Sequence, residues 1–167
     1  TKKLEDDNMI DLFNNIEMPL VETLASMEHV GMHINIEKLN QFDKEISSSL
    51  TKLESQIFEI AGEEFNINSP MQLGNILFEK LNLPSKKKTK TGYCTDKSVL
   101  EQLEDSHPII PKILEYRQIA KLKSTYVDGL REKIASDSRI HTTFMQTVAS
   151  TGRLSSVEPN LQNIPIR

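Results

Sequence analysis

The chain of 167 residues holds a single cysteine, Cys94, and no apolar run of membrane-spanning length. One thiol cannot close an internal disulfide, and neither a secretory leader nor a transmembrane helix can be read into the sequence. The expectation is a soluble, cytoplasmic protein. Apolar residues are scarce as well: 37% hydrophobic with 6 glycines added stays below the usual level of about 45–50%. The length suits one domain, with a thin core. Histidines do not cluster, since His107 and His141 have no metal-ligand spacing around them. Cys94, between Tyr93 and Thr95, has no histidine nearby to make it a nucleophile. There is no internal repeat, and the one charge run is Lys86–Lys90.

Charge is present but unevenly divided. The formal net charge is −4, yet Thr1–Phe65 carries 5 Lys/Arg against 14 Asp/Glu, a net of −9, while Asn66–Arg167 carries 15 against 10, a net of +5. The basic back portion could meet a polyanion. The acidic front reads as a solvated helix face.

Helical periodicity dominates. Leu39, Phe42, Ile46, Leu50, Leu53, Ile57 and Ile60 recur at spacings of three or four, a narrow stripe on one long helix. Asn35 is the expected N-cap and Gly62 the expected stop. Core packing explains the stripe better than a coiled-coil partner. A shorter helix over Asn15–Val30 puts Leu20, Leu24 and Met27 on one face and ends at Gly31. Ser69, Pro70 and Gln72 spell a capping box, with the helix running through Leu81 until Pro84 forbids extension. Ser85–Tyr93 is cationic and aperiodic, hence an exposed loop. Thr95 should cap a short helix through Leu103, and a final helix should start near Pro111 and run towards Ile134, with a break at Asp128-Gly129.

After Ser138 the period changes to two. Six of the ten residues from Ile140 to Ala149 are β-branched or aromatic, which predicts one strand. A strand with only a short hairpin partner cannot bury its face. The chain is therefore expected to be a piece of a larger protein, or to pair its bare strand with another copy. The fold class expected is mainly α with a small β element, an elongated antiparallel helical arm followed by truncated strands.

The closing stretch STGRLSSVEPNLQNIPIR, Ser150 to Arg167, contains no thiol and no histidine. Arg153, Asn160, Gln162, Asn163 and Arg167 offer paired donors that need lose no proton. Such groups suit phosphate oxygens and the acceptor-rich minor-groove edge of a base pair. Pro159 and Pro165 hold the segment extended, and Gly152 allows close backbone approach. The plainer alternative is that Asn160 and Asn163 satisfy loop backbone while Arg153 pairs with Glu158.

The order of these residues matters more than their types. Thr151-Gly152-Arg153-Leu154-Ser155-Ser156, then Pro159-Asn160-Leu161-Gln162-Asn163-Ile164-Pro165 and Arg167, resembles the TGRLSSxxPNLQNIPxR signature of family A DNA polymerases, the bacterial polymerase I type. Upstream, Glu17-Met18-Pro19-Leu20, Met27-Glu28 and Gly31, Phe65-Asn66-Ile67-Asn68-Ser69 with Gln72-Leu73, Lys88–Gly92, Tyr116-Arg117 and Lys121–Tyr126 resemble that family's thumb subdomain. The resemblance spans about Asn15 to Arg167.

It implies a tail of a preceding, exonuclease-like domain over 1–15, a thumb over 16–136 and the start of a palm over 137–167. It implies a DNA-directed DNA polymerase of replication and repair, a nucleotidyltransferase, whose thumb grips primer-template duplex. On the matching positions, Arg153 reaches the minor-groove side of the primer terminus, and Asn160, Gln162, Asn163 and Arg167 fall on template and primer contacts. Asn68, Ser69, Lys121, Lys123, Ser124 and Thr125 match contacts to sugar-phosphate, and Lys86, Lys87, Lys88 and Lys90 lie at the thumb tip. Magnesium and dNTP are implied for the parent enzyme. The family's metal-binding carboxylates follow the signature, so no catalytic residue, metal or cofactor is expected within this stretch, which should bind duplex without extending it. The competing expectations are a helical protein-interaction module and a stand-alone DNA clamp.

Overall fold

The computed structural model describes residues 2–84 and 92–164, together with the backbone of Lys88 and Thr89. In chain order the α-helices are α1 (Lys2–Asp6), α2 (Ile10–Leu12), α3 (Met18–Val30), α4 (Ile36–Ala61), α5 (Pro70–Gly74), α6 (Lys97–Glu101), α7 (Ile109–Leu122) and α8 (Gly129–Arg131). The strands are β1 (Met32–His33), β2 (Lys88–Thr89), β3 (Gly92–Tyr93), β4 (Arg139–Ile140), β5 (Thr143–Met145) and β6 (Ser155–Val157). Wider i→i+5 turns occupy Phe13–Glu17, Asn75–Lys80 and Lys123–Asp128. The protein is mainly α with short antiparallel strands. Its chain forms two compact units, Thr1–Leu39 with Tyr126–Arg167, and Asn40–Thr125.

The Asn40–Thr125 unit is built on α4 and α7. The side chain of Asn35 accepts the Lys38 N–H at 2.9 Å, starting α4 as its sequence predicts, and Gly62 at φ +75° lies just beyond its end. Lys112 reaches Gln56 at 2.8 Å, Tyr116 reaches Glu54 at 2.9 Å and Lys123 reaches Asp43 at 3.2 Å. Numbers rise on one side and fall on the other, so the two helical stretches run antiparallel. Leu53 and Ile57 of the apolar stripe enter the chain's own core with Leu73, Leu77, Leu100, Ile109, Ile110 and Ile113. The stripe is core packing. Gly74 is required by a close approach, because a Cβ there would lie 3.0 Å from Cβ of Tyr93.

Several predicted details differ. Ser69 does accept the Gln72 N–H, at 3.4 Å, but the Gln72 side chain reaches past it to the Asn66 N–H at 2.7 Å, because the Ser69 N–H is already taken by the Asn66 carbonyl at 2.9 Å. Thr95 does not cap α6. Its carbonyl and hydroxyl both accept from the Arg117 guanidinium, and Asp96 occupies the cap position. The final helix begins at Ile109, two residues before Pro111. Cys94, next to the stretch read as an exposed loop, is buried in this unit, and its thiol donates to Asp96 at 3.2 Å.

In the other unit, the helix expected from Asn15 starts as the wide turn Phe13–Glu17 and continues as α3. The single strand expected over Ile140–Ala149 is two. β4 pairs with β1 (Met32 with Ile140, His33 with Arg139), and β5 pairs with β6 (Phe144 with Ser156). The break falls where the His141 ring and the Thr142 hydroxyl leave the strand pattern to bind other partners. Arg139 donates to Gly31 O at 3.1 Å, the Phe144 N–H to a Glu28 oxygen at 2.6 Å, and Gln146 to Glu17 at 3.0 Å. Among the described residues no helix is long and apolar enough to cross a membrane.

Candidate nucleic-acid interface

In the Asn40–Thr125 unit, the loop before α5 is tied at every residue that could bind. The Asn68 N–H donates to Asn66 Oδ1 at 2.9 Å, and the Asn68 amide nitrogen donates to the Tyr116 hydroxyl at 3.3 Å. Asn68 itself remains exposed. Tyr116 is buried, and that burial, with the Glu54 carboxylate next, pushes its hydroxyl above the ordinary phenol range. It therefore stays protonated and is a donor to Glu54. A groove of about 450 Å³ in one unit is apolar, lined by Met27, Val30, Ile140 and Phe144. The groove of about 630 Å³ beside Ser69 is polar in part, with Tyr93, Thr95 and Arg117 in its wall. Burial lowers the Arg117 guanidinium from its ordinary value while Asp96 opposes that, so the charge is balanced inside the wall.

At the end of α7, Lys121, Ser124 and Thr125 are exposed on adjoining turns, and the Ser124 hydroxyl donates to the Lys121 carbonyl at 3.2 Å. Lys123 is different. Its ammonium sits 3.2 Å from Asp43 and is only 26% exposed, so much of its charge is spent within the chain. The short β2–β3 hairpin pairs Lys88 with Tyr93 and Thr89 with Gly92. Lys86, Lys87 and Lys90 lie outside the described residues, as does Arg167, and of Lys88 only the backbone is described.

In the unit that holds the signature, the exposed residues stand on a buried hydroxyl pair. Ser156 is 1% exposed and Thr142 6%. Their oxygens lie 2.8 Å apart, and between them they serve the carbonyls of Val157 and Pro159 while Ser156 accepts the Leu161 N–H at 3.0 Å. The loop that follows β6 is thereby folded back on β5. Asn160 Oδ1 accepts the Gln162 N–H at 2.9 Å, Gln162 donates its side-chain amide to Leu154 O at 2.8 Å, and the Tyr126 hydroxyl donates to Asn163 O. The side-chain carbonyl of Asn160 closes an Asx turn and so serves loop backbone. Arg153 is exposed and makes no ion pair with Glu158 among the described residues. Gly152, at φ +73°, has open space where a Cβ would be.

The side chains brought together here are hydrogen-bond donors and acceptors suited to recognition. Among the described residues no group of three His, Cys, Asp or Glu is placed to hold a metal ion. Sequence reasoning missed the supporting groups Tyr116, Glu54, Thr142 and Ser156. The signal for Ser156 was a polar residue at the inward position of a short strand, where burial demands a partner, and Thr142 meets it from the link between β4 and β5.

A sequence model described as DNA polymerase family A matches residues 36–167. The chain is 52% identical to DNA polymerase I of Bacillus subtilis over 167 residues, covering 99% of this chain and 19% of that protein. It is 55% identical to DNA polymerase I of Caldicellulosiruptor bescii, covering 93% of this chain and 18% of that one. It thus spans about a fifth of the length of these curated relatives. Among solved structures, the POL domain of Pol1 from M. smegmatis, in complex with DNA primer-template and dNTP, superposes with a TM-score of 0.83 at 44% identity, covering 99% of this chain and 30% of that chain.

Proposed function

Since this chain belongs to DNA polymerase family A, we propose that it is the duplex-gripping part of a DNA polymerase I, a thumb with the start of a palm. The whole enzyme adds deoxynucleotides to a primer 3′ end, with magnesium and dNTP as its cofactor and substrate. This chain holds primer-template duplex through sugar-phosphate and minor-groove contacts. A polymerase must accept any sequence, so its grip should rest on phosphates and on the degenerate acceptors of the minor groove. The observation that carries the reading is the pairing of exposed donors with a fixed backbone. Arg153, Asn160, Gln162 and Asn163 are exposed on a loop tied by Ser156 and Tyr126, and Asn68 and Ser69 stand on a loop tied by Asn66 and Gln72. Such pre-organisation lowers the ordering cost of binding.

Titrating a fluorescent primer-template at low and moderate salt tests the proposal. Affinity should be indifferent to sequence and fall steeply with salt, with a log–log slope of about −0.9 per phosphate neutralised, and no primer extension should be seen. Affinity unchanged by salt refutes the phosphate contacts. Alanine at both Arg153 and Asn163 in the intact enzyme should impair elongation, and normal elongation would refute the minor-groove contacts.

A further inference from the structure

Resting on the reading that Asn68 touches the DNA backbone, we propose that Tyr116 and Glu54 are positioning residues for that contact. They commit one amide hydrogen of Asn68 inward and so present the other to a phosphate or sugar oxygen of any duplex.

The argument follows the protons. Tyr116 is 5% exposed and sits in the core of its unit, so its hydroxyl must find partners inside the chain. The Glu54 carboxylate, 2.9 Å away, has lone pairs and no proton to give, which makes the phenol the donor. Only lone pairs then remain on the phenol oxygen, and the Asn68 group 3.3 Å from it must be the NH2 end of the amide. This fixes which way the amide faces. The charge on Glu54 also polarises the phenol, which strengthens the second link of the chain.

The backbone of Asn68 is held independently. Its N–H donates to Asn66 Oδ1 at 2.9 Å, and the Asn66 N–H donates to Gln72 Oε1 at 2.7 Å in the first turn of α5. With both ends of the residue fixed, the second amide hydrogen is aimed before any DNA arrives. It is a neutral donor, able to serve a phosphate oxygen without reading a base.

The test is a double-mutant cycle in the 167-residue chain, measuring Kd for a labelled duplex at one salt concentration well below melting, with folding checked by circular dichroism. Tyr116→Phe and Asn68→Ala should each weaken binding about fivefold, the worth of one ordinary hydrogen bond. Together they should weaken it no more than Asn68→Ala alone. A merely structural role for Tyr116 would add its loss in full on top of Asn68→Ala, and that result overturns the inference. Glu54→Ala reaches the same chain from the partly buried face of α4 without touching the core, and should weaken binding while Glu54→Gln, which keeps an acceptor, restores it. If Asn68→Ala weakens binding and neither Tyr116→Phe nor Glu54→Ala does, the positioning role is refuted and the contact stands. If Asn68→Ala is itself silent, the contact reading falls and takes the inference with it.

Discussion

Thr142→Val isolates the buried hydroxyl pair beneath the signature loop. Valine keeps the shape of threonine and removes one hydroxyl, which lies 2.8 Å from Ser156 Oγ, 3.0 Å from Val157 O and 2.8 Å from Pro159 O. Ser156 can still turn its proton to Pro159 O at 3.2 Å. Val157 O then loses the hydroxyl that served it. Val157 itself is 39% exposed, so water can reach its carbonyl and the loss is that of one ordinary hydrogen bond, about 0.5–1.5 kcal/mol. For a unit of under 100 residues, a loss of about 1 kcal/mol lowers the melting temperature by roughly 4–8 °C. The control is Thr143→Val, one residue away but exposed on β5, where a change within about 0.5 kcal/mol is expected. Thermal unfolding followed by far-ultraviolet circular dichroism reads the difference, and duplex affinity measured below the transition should fall with it, because the loop carrying Asn160, Gln162 and Asn163 loses its anchor. If Thr142→Val melts together with Thr143→Val, the hydroxyl pair does not hold the loop.

Leu77 is fully buried, so Leu77→Ala should cost about 2–5 kcal/mol in denaturant titration, while Met71→Ala, at a site 62% exposed, should be nearly silent. Gly31→Ala should destabilise by more than 1 kcal/mol, on the order of other strained backbone sites, because φ is +66° and the new Cβ would meet the His141 ring at 2.8 Å and Ile140 O at 3.0 Å; a melt equal to the parent's would refute this. His141 faces the Glu28 carbonyl at 2.7 Å and Asp137 at 3.1 Å. Both are acceptors, so both ring nitrogens must carry protons. The Glu28 hydrogen bond first and Asp137 next raise the ring above its ordinary value, with Arg139 opposing. The stabilisation is then full below about pH 6.5 and is lost as pH rises through the higher folded-state value. The stability gap between the parent and His141→Gln should be widest in mild acid and close in alkali; a gap independent of pH would refute the doubly protonated ring.

How much of this could be read in advance depended on whether one element decided the outcome. The bounds of α4 were legible because Asn35, the apolar spacing and Gly62 all point the same way over a long stretch. Ser69 and Pro70 announced α5 for the same reason. Thr95 misled because a capping residue was judged on its neighbours, and Arg117, distant in sequence, took its oxygens. The strand after Ser138 was read with the right period but too long, since alternation cannot tell that the His141 ring would turn to the α3 carbonyls. In the candidate site, the exposed donors were visible in the order of the residues. The buried groups behind them were not, because a Tyr in a helix and a Glu 62 positions earlier reveal their bond only when two helices lie side by side.

The lone thiol has a practical consequence. Cys94 is 7% exposed and leans on Asp96, while alkylating reagents need both access and the thiolate. In the native chain, burial should slow labelling, and opening of the Asn40–Thr125 unit should speed it. The rate at which a maleimide couples becomes a stopwatch for that unit, carried by the natural sequence without any engineered probe, and the same chain mixed with duplex would show whether the proposed binding slows the clock.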